Sequence, residues 1–343
     1  MKYVQPMNEA RKPLRIGLLG AARIAPSAII FPAQATGHEL SAVAARDINR
    51  AKDFAKQYQI KKTYGSYQEL IDDPEIDVVY NALHNGGHAP WNMRALAAGK
   101  HVLSEKPSAS NAAEAKEVIA AVEKSKKVFM EGFHYFYHPV FQKALATVKS
   151  GEIGEITKVE SSLLIPPPVN GDLRWSFELA GGSAMDVGCY SIHSQRMICK
   201  ALTGAEPSVE SAVANTREKD VDSKMSLVLK YPNGVTGFAH GSFEQKEMIA
   251  PLTITGTKGS IHIPNFVVTG WDDRIIIESN GKKRTEHLGS LSTYTYQLMA
   301  LADQIDLGKH LQTDEHDAYA TMKVIDAGYI KSGLPLRPTF KIA

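Results

Sequence analysis

The 343-residue chain has only two cysteines, Cys189 and Cys199. Two thiols cannot build a disulfide framework and their spacing matches no metal-binding pattern, so a reducing compartment is expected. Long apolar runs are missing too: no stretch reaches the length of a membrane span, and the polar start from Met1 to Pro13 lacks the apolar centre of a secretory signal. The expected location is therefore the cytoplasm, with no membrane partner. Nor does charge of one sign dominate, since 39 basic and 37 acidic residues leave a formal net charge of +2 spread along the chain. Without a concentrated basic patch, nucleic acid is not an expected partner. Internal repeats and low-complexity tracts are also absent.

What is present describes an ordinary globular protein, with 43% hydrophobic and 22% charged residues. The length suits two domains better than one core. From Leu14 to Gly132, extended runs alternate with segments of helical period. Strands are expected at 14–19, 40–45, 62–64, 77–83, 101–104 and 128–131. Ser66 with Glu69, and Asn111 with Glu114, form capping boxes, and Gly99 closes the helix that carries Trp91, Ala95 and Leu96. Strands alternating with helices give a parallel sheet covered on both faces, with ligands beyond the carboxyl ends of the strands. After residue 132 the grammar changes. Extended runs at 156–164, 209–213, 225–229, 235–240, 252–255 and 260–263 have few helices between them. Pro232-Asn233-Gly234 and Gly256-Thr257-Lys258-Gly259 read as hairpin turns. Three helical segments are expected, at 183–203, 293–305 and 315–331. The predicted fold class is α/β: a dinucleotide-binding domain over 1–131 and a domain with an open, mostly antiparallel sheet over 132–343.

Gly20-Ala21-Ala22-Arg23-Ile24-Ala25 follows the first strand, where a dinucleotide fold turns into a helix and aims backbone N–H groups at a pyrophosphate. Ala22 replaces the second glycine of that fingerprint, so the match is degraded. Gly20, Ala22, Arg23 and Ile24 are the candidate cofactor contacts. The second strand ends at Ala44-Ala45-Arg46-Asp47. Ala45 cannot offer the carboxylate that meets a free ribose 2′-hydroxyl, whereas Arg46 can pair with a 2′-phosphate as a permanently charged donor. NADP is thus favoured over NAD. The competing reading leaves Arg46 as a solvated charge and gives the ribose to Asp47.

The run Gly99-Lys100-His101-Val102-Leu103-Ser104-Glu105-Lys106-Pro107, preceded by Asn81 and His88, resembles the signature of the glucose-fructose oxidoreductase, inositol dehydrogenase and rhizopine-catabolism family. Met130-Glu131-Gly132, Lys149-Ser150-Gly151-Glu152-Ile153-Gly154 and the stretch from Gly181 to Tyr190 extend the likeness over nearly the whole chain. The resemblance implies that Lys106 lies beside the nicotinamide and contacts the reacting oxygen, that Glu105 faces the cofactor, and that Pro107 holds a cis bond. Asp186 and Tyr190, four apart on one helix face, can share a pocket. Tyr190 replaces the histidine common in the wider family. This matches the branch that resembles dimeric dihydrodiol dehydrogenases and fungal NADP-dependent D-xylose dehydrogenases. That branch implies that Tyr190 moves the proton, assisted by Lys106, while Asp186 binds substrate or orients the site. A nearby ammonium is expected to draw the tyrosine pKa down toward working pH.

Weaker candidates surround this pair. Arg174 is a candidate substrate contact, with an interdomain ion pair as the competing reading. His193, three residues after Tyr190, either lines the pocket or is a core histidine satisfied by a hydrogen bond. His84 and His88 are expected on the cofactor side. His84/His88 and His134/His138 have helical metal-ligand spacing, but no third ligand follows, so no metal is expected. The resemblance implies an NADP-dependent dehydrogenase acting on a sugar or sugar-like alcohol, of the D-xylose or D-glucose C1 type, working as a homodimer or larger homo-oligomer. Trans-dihydrodiol oxidation and keto-sugar reduction remain alternatives within the enzyme class. A non-catalytic dinucleotide-binding regulator and an NAD-retaining glycosidase are alternatives outside it.

Overall fold

The computed structural model describes residues 12–342; apart from Lys12 and Pro13, the polar start lies outside them. The first sheet contains β1 (Arg15–Leu19), β2 (Glu39–Ala44), β3 (Lys62–Tyr64), β4 (Val78–Asn81), β5 (His101–Ser104) and β6 (Phe129–Glu131). All its pairings are parallel, in the order β3-β2-β1-β4-β5-β6. Such strands are buried on both faces, which is why β1 and β4 read as continuous apolar runs rather than alternations. Both capping boxes form: Ser66 accepts the Glu69 N–H at the start of α3 (Tyr67–Asp72), and Asn111 accepts the Glu114 N–H at the start of α5 (Ala112–Ser125). The strand order reverses between β1 and β4, opening a crevice at their carboxyl ends. The loops after β1, β4 and β5 all empty there, and they carry the glycine turn, Leu83 to His88, and Glu105-Lys106.

The second sheet has eight strands: β7 (Ile156–Leu164), β8 (Ser208–Glu218), β9 (Val221–Lys230), β10 (Thr236–Ser242), β11 (Leu252–Gly256), β12 (Gly259–Ile263), β13 (Arg274–Ser279) and β14 (Lys282–His287). The order is β14-β13-β12-β11-β7-β10-β9-β8, antiparallel throughout except for β7 beside β10. The sequence reading missed β13 and β14. Strand β14 is an exposed edge of mostly charged residues, so no apolar alternation announces it. It also missed α6 (Pro139–Lys149), whose Val140, Phe141, Ala144, Leu145 and Val148 are buried at helical spacing behind a proline start.

The expected helix at 183–203 begins as a π-helical turn, Ala184–Gly188, and continues as α7 (Cys189–Thr203). Single π turns recur at functional sites. This one lies directly on β10, because Gly188 and Gly241 meet backbone to backbone: a Cβ on Gly241 would stand 2.5 Å from the Gly188 Cα.

The last two helices cross back to the first sheet. Helix α8 (Thr293–Leu307) buries Leu298, Leu301 and Ala302 in one apolar cluster with Ala25, Ile29, Ile30 and Val43. Helix α9 (Glu315–Lys331) packs on both α5 and α7. The line at 131/132 therefore separates two sheets, while the buried side chains interlock across it.

Candidate active site

A cavity of about 590 Å³ runs from the glycine turn to the start of α7, lined among others by Ala22, Arg23, Ile24, Glu105, Lys106 and Tyr190. Gly20 sits at φ +92, a conformation that side chains rarely adopt, and this lets the turn close after β1. A π-helical turn, Pro26–Ile30, follows and runs into α1 (Phe31–Thr36). Helix α2 (Ile48–Tyr58) begins with Asp47 as its cap, accepting the Asn49 N–H at 2.9 Å. Arg46 is exposed and lies against the Tyr67 hydroxyl. Arg50, four residues on and overlooked in the sequence, donates to the Ala21 carbonyl at 3.2 Å. Arg50 is thus tied to the glycine turn, while Arg46 stands at the strand tip where Ala45 offers no carboxylate. This is a setting that suits a phosphorylated ribose and a pyrophosphate.

At the other end, the Lys106-Pro107 bond is cis, as the resemblance implies. The buried His88 places one ring nitrogen 2.7 Å from the Pro107 carbonyl and the other 2.9 Å from that of Leu83, bracing the turn beside the cavity. Glu105 is buried and its carboxylate accepts the Tyr80 hydroxyl at 2.8 Å. Burial pushes the Glu105 pKa up, against the pull of Lys106 and Tyr80. The Lys106 ammonium donates to the Asp186 carbonyl oxygen at 2.7 Å, and the Asp186 carboxylate stands 3.8 Å away. Burial favours the neutral amine, but Asp186, Cys189 and Glu105 outweigh it and the Lys106 pKa is raised. Lysine is therefore a cation here.

Tyr190 is buried at the cavity wall, with the Lys106 nitrogen 4.9 Å above the centre of its ring. This corrects one expectation. The ammonium stands over the ring, and it does not bring the tyrosine pKa down toward working pH. Burial, with Tyr294, Glu105, Cys189 and Asp186 around it, drives the Tyr190 pKa well above its ordinary value. Tyr190 is thus a phenol, equipped to give a proton, and it takes one only while passing its own on.

Arg174 lies at the cavity too, paired through two bonds of 2.9 Å with Asp172 and standing 3.5 Å from Asp186. The pair is formed with a neighbour in its own loop. The structure separates two other candidates from the cavity. His84 caps α4 (Asn85–Ala97), accepting the Gly87 N–H at 3.2 Å, with Phe340 edge-on to its ring. His193 is a core histidine: one ring nitrogen meets the Tyr135 hydroxyl at 2.6 Å and the other Asp317 at 2.8 Å, leaving nothing for a substrate. Three residues along a helix places two side chains near one face, but α7 is buried nearly all round, so sharing a face does not mean sharing the pocket.

Other functional residues escaped the sequence reading. Tyr294 lines the cavity and faces Tyr190, and His134 donates to or accepts from the Tyr190 hydroxyl at 2.9 Å. They come from segments far from Tyr190 along the chain, and no local pattern links them. Asp222 is similar. Its carboxylate accepts the Ser183 hydroxyl and the Ala184 N–H, both at 2.7 Å, and pairs with the buried Arg337 at 2.8 Å, fixing the start of the catalytic turn. Gly182 makes room for it: at φ +122, a Cβ there would lie 2.1 Å from Asp222 Oδ1.

Comparison with known proteins agrees with this geometry. Residues 14–133 match the model of the oxidoreductase family with an NAD-binding Rossmann fold, and residues 141–262 match the GFO/IDH/MocA C-terminal domain. The chain belongs to the glucose-fructose oxidoreductase, inositol dehydrogenase and rhizopine-catabolism family. D-xylose 1-dehydrogenase (NADP(+)) 2 of Haloferax volcanii is 34% identical to this member over 319 residues, covering 92% of the chain and 96% of that protein. Trans-1,2-dihydrobenzene-1,2-diol dehydrogenase of Mus musculus is 35% identical over 258 residues, covering 73% and 74%. Among solved structures, a 3-ketoreductase from Actinomadura kijaniata in complex with NADP and TDP-benzene superposes with a TM-score of 0.84 at 26% identity, over 93% of the chain and 98% of its own. An aldose-aldose oxidoreductase from Caulobacter crescentus has a TM-score of 0.84 at 25% identity, over 94% and 98%. The family member described here has the Rossmann sheet, the mixed second sheet and the oxidoreductase class that its sequence led one to expect.

Proposed function

We propose that the chain is an NADP-dependent dehydrogenase of sugar or sugar-like alcohols, with oxidation of a pyranose such as D-xylose or D-glucose at C1 as the leading reaction. The observation that carries this reading is the single cavity in which the glycine turn and the Lys106–Tyr190 pair face each other. NADP, when bound, supplies the hydride acceptor. The chain's own residues do the rest. Lys106 stabilises negative charge on the reacting oxygen, Tyr190 exchanges that oxygen's proton, and Asp186 with Arg174 holds neighbouring hydroxyls. Gly20, Ala22, Arg23 and Ile24 cradle the pyrophosphate, Arg46 and Arg50 meet the 2′-phosphate, and Glu105 and His88 shape the floor on the nicotinamide side. His84 stays outside this set as a structural cap.

A second reading has its own support: a Tyr190 held as a phenol is suited to protonate a carbonyl, which favours keto-sugar reduction. Trans-dihydrodiols are the third substrate class, named for the relatives above. Purified protein mixed with D-xylose, D-glucose or a trans-dihydrodiol and NADP should form reduced cofactor, read by its absorbance. A keto-sugar with NADPH should consume it. Turnover of none of these would overturn the reading.

The cofactor choice makes a separate prediction. Arg46→Ala should weaken NADP by about 1.5–3 kcal/mol, the loss of a charge-assisted hydrogen-bonded clamp, and leave NAD nearly unchanged. Equal wild-type affinities for the two cofactors, unaltered in the variant, would refute it.

Two copies are proposed to pair through the open face of the second sheet. Phe238 and Val213 are exposed there, on adjoining cross-strand rows with Val228, Ser226 and His240. The proposed location is the cytoplasm. Both cysteines are buried and free, and among the described residues no helix is long and apolar enough to cross a membrane.

A further inference from the structure

A buried histidine meets the Tyr190 hydroxyl. His134 begins a short 3-10 turn (His134–Tyr137) just after β6 and is 1% exposed. One ring nitrogen, Nε2, lies 2.9 Å from the Tyr190 hydroxyl, and the other, Nδ1, lies 2.8 Å from the Thr293 hydroxyl at the start of α8. The ring lies against Tyr294, with centroids 3.9 Å apart and planes tilted by 34°, and meets Tyr190 edge-on. Its plane and both of its hydrogen bonds are therefore set by two other segments of the chain, α7 and the start of α8.

We propose that His134 is the positioning residue that decides which way the Tyr190 hydroxyl proton points. A neutral imidazole carries one N–H donor and one bare acceptor nitrogen, and the two can exchange roles. Burial, with Lys106 and His138 nearby, pulls the His134 pKa down to about 3, so the ring is neutral at working pH. With the proton on Nδ1, His134 donates to Thr293 and accepts the Tyr190 proton at Nε2. The tyrosine oxygen then turns its lone pairs to the cavity; as it takes an alcohol's proton its own passes to Nε2, so the proton ends on His134 as a transient imidazolium still donating to Thr293. With the proton on Nε2, His134 donates to the tyrosine oxygen. The Tyr190 proton is then free to point into the cavity and be given to a carbonyl oxygen. Thr293 serves both forms, since a hydroxyl both donates and accepts. Oxidation and reduction thus start from opposite tautomers of one buried ring.

This inference rests on Tyr190 as the acid–base group, and its test separates the two. Nitrogen-15 NMR of histidine-labelled protein should show His134 neutral, with one protonated and one bare nitrogen, from pH 5 to 9. Tyr190→Phe should move the Nε2 resonance, and Thr293→Val the Nδ1 resonance. An imidazolium at pH 7, or resonances indifferent to both changes, would overturn the proposal without any substrate.

Kinetics should be run with the substrate the panel identifies. His134→Phe keeps an aromatic ring against Tyr294 and should lower kcat by about 10²-fold, the scale of removing one preorganised hydrogen-bond partner, with KM and NADP affinity within about threefold. His134→Gln restores a polar group near the Nε2 position and should recover part of the loss. A packing role would give the opposite order, with phenylalanine near wild type and glutamine impaired, and that order would refute the assignment. If Tyr190→Phe is itself active, the reading of the tyrosine fails; if only His134→Phe is normal, this inference fails alone.

Discussion

Replacing Tyr190 by phenylalanine should lower turnover by about 10²–10⁴-fold while NADP affinity persists. The change removes the transferable proton and keeps the ring that Lys106 and Phe133 pack against. Single-turnover hydride transfer and cofactor titration measure the two quantities separately. The variant also leaves the His134 Nε2 facing a bare ring edge, so about 1–3 kcal/mol of stability should be lost, visible as a lower Tm. Near-normal hydride transfer in Tyr190→Phe would remove Tyr190 from the proton path. His193 could not take its place, because both of its ring nitrogens are engaged in the core.

Lys106→Met is expected to lower turnover by about 10²–10³-fold, the magnitude of losing one fixed group that stabilises charge developing on oxygen. Of the two routes the sequence suggests, contact with the reacting oxygen and lowering of the tyrosine pKa, the geometry supports the first. The ammonium rests on the Asp186 carbonyl and over the tyrosine ring, which supports the proposed work on the substrate oxygen rather than on the phenol pKa. The raised Lys106 pKa keeps the charge present across the neutral range and lets it fall only on the alkaline side. Wild-type activity should accordingly fall along an alkaline limb that Lys106→Met no longer shows. In the proposed mechanism both groups meet the same oxygen, so the losses in Lys106→Met/Tyr190→Phe should not add. Full additivity, or an alkaline limb unchanged in the methionine variant, would show that the two side chains act at different points.

Each feature that could be read from the chain was encoded locally. The parallel sheet was legible because strands buried on both faces are short apolar runs, divided by helices whose caps, Ser66 and Asn111, are one-residue signals. The glycine turn and Ala45-Arg46 were legible because a tight turn and a strand end call for those residue types, whereas Glu105-Lys106-Pro107 was legible only through its resemblance to the family signature. Asp186 and Tyr190 were legible as a pair because helical spacing joins them. Strand β14 was not, since an edge strand open to water needs no apolar pattern. Only the tertiary structure could decide the rest. It turns Lys106 toward the Asp186 carbonyl, sends His193 into the core, and brings His134 and Thr293 to Tyr190 from 56 residues before it and from α8. It also closes α8 onto the first sheet and sets Arg337 on Asp222 beneath the catalytic turn. Contacts of that kind depend on how two sheets dock and on which buried polar atoms must find partners, and no local pattern records either.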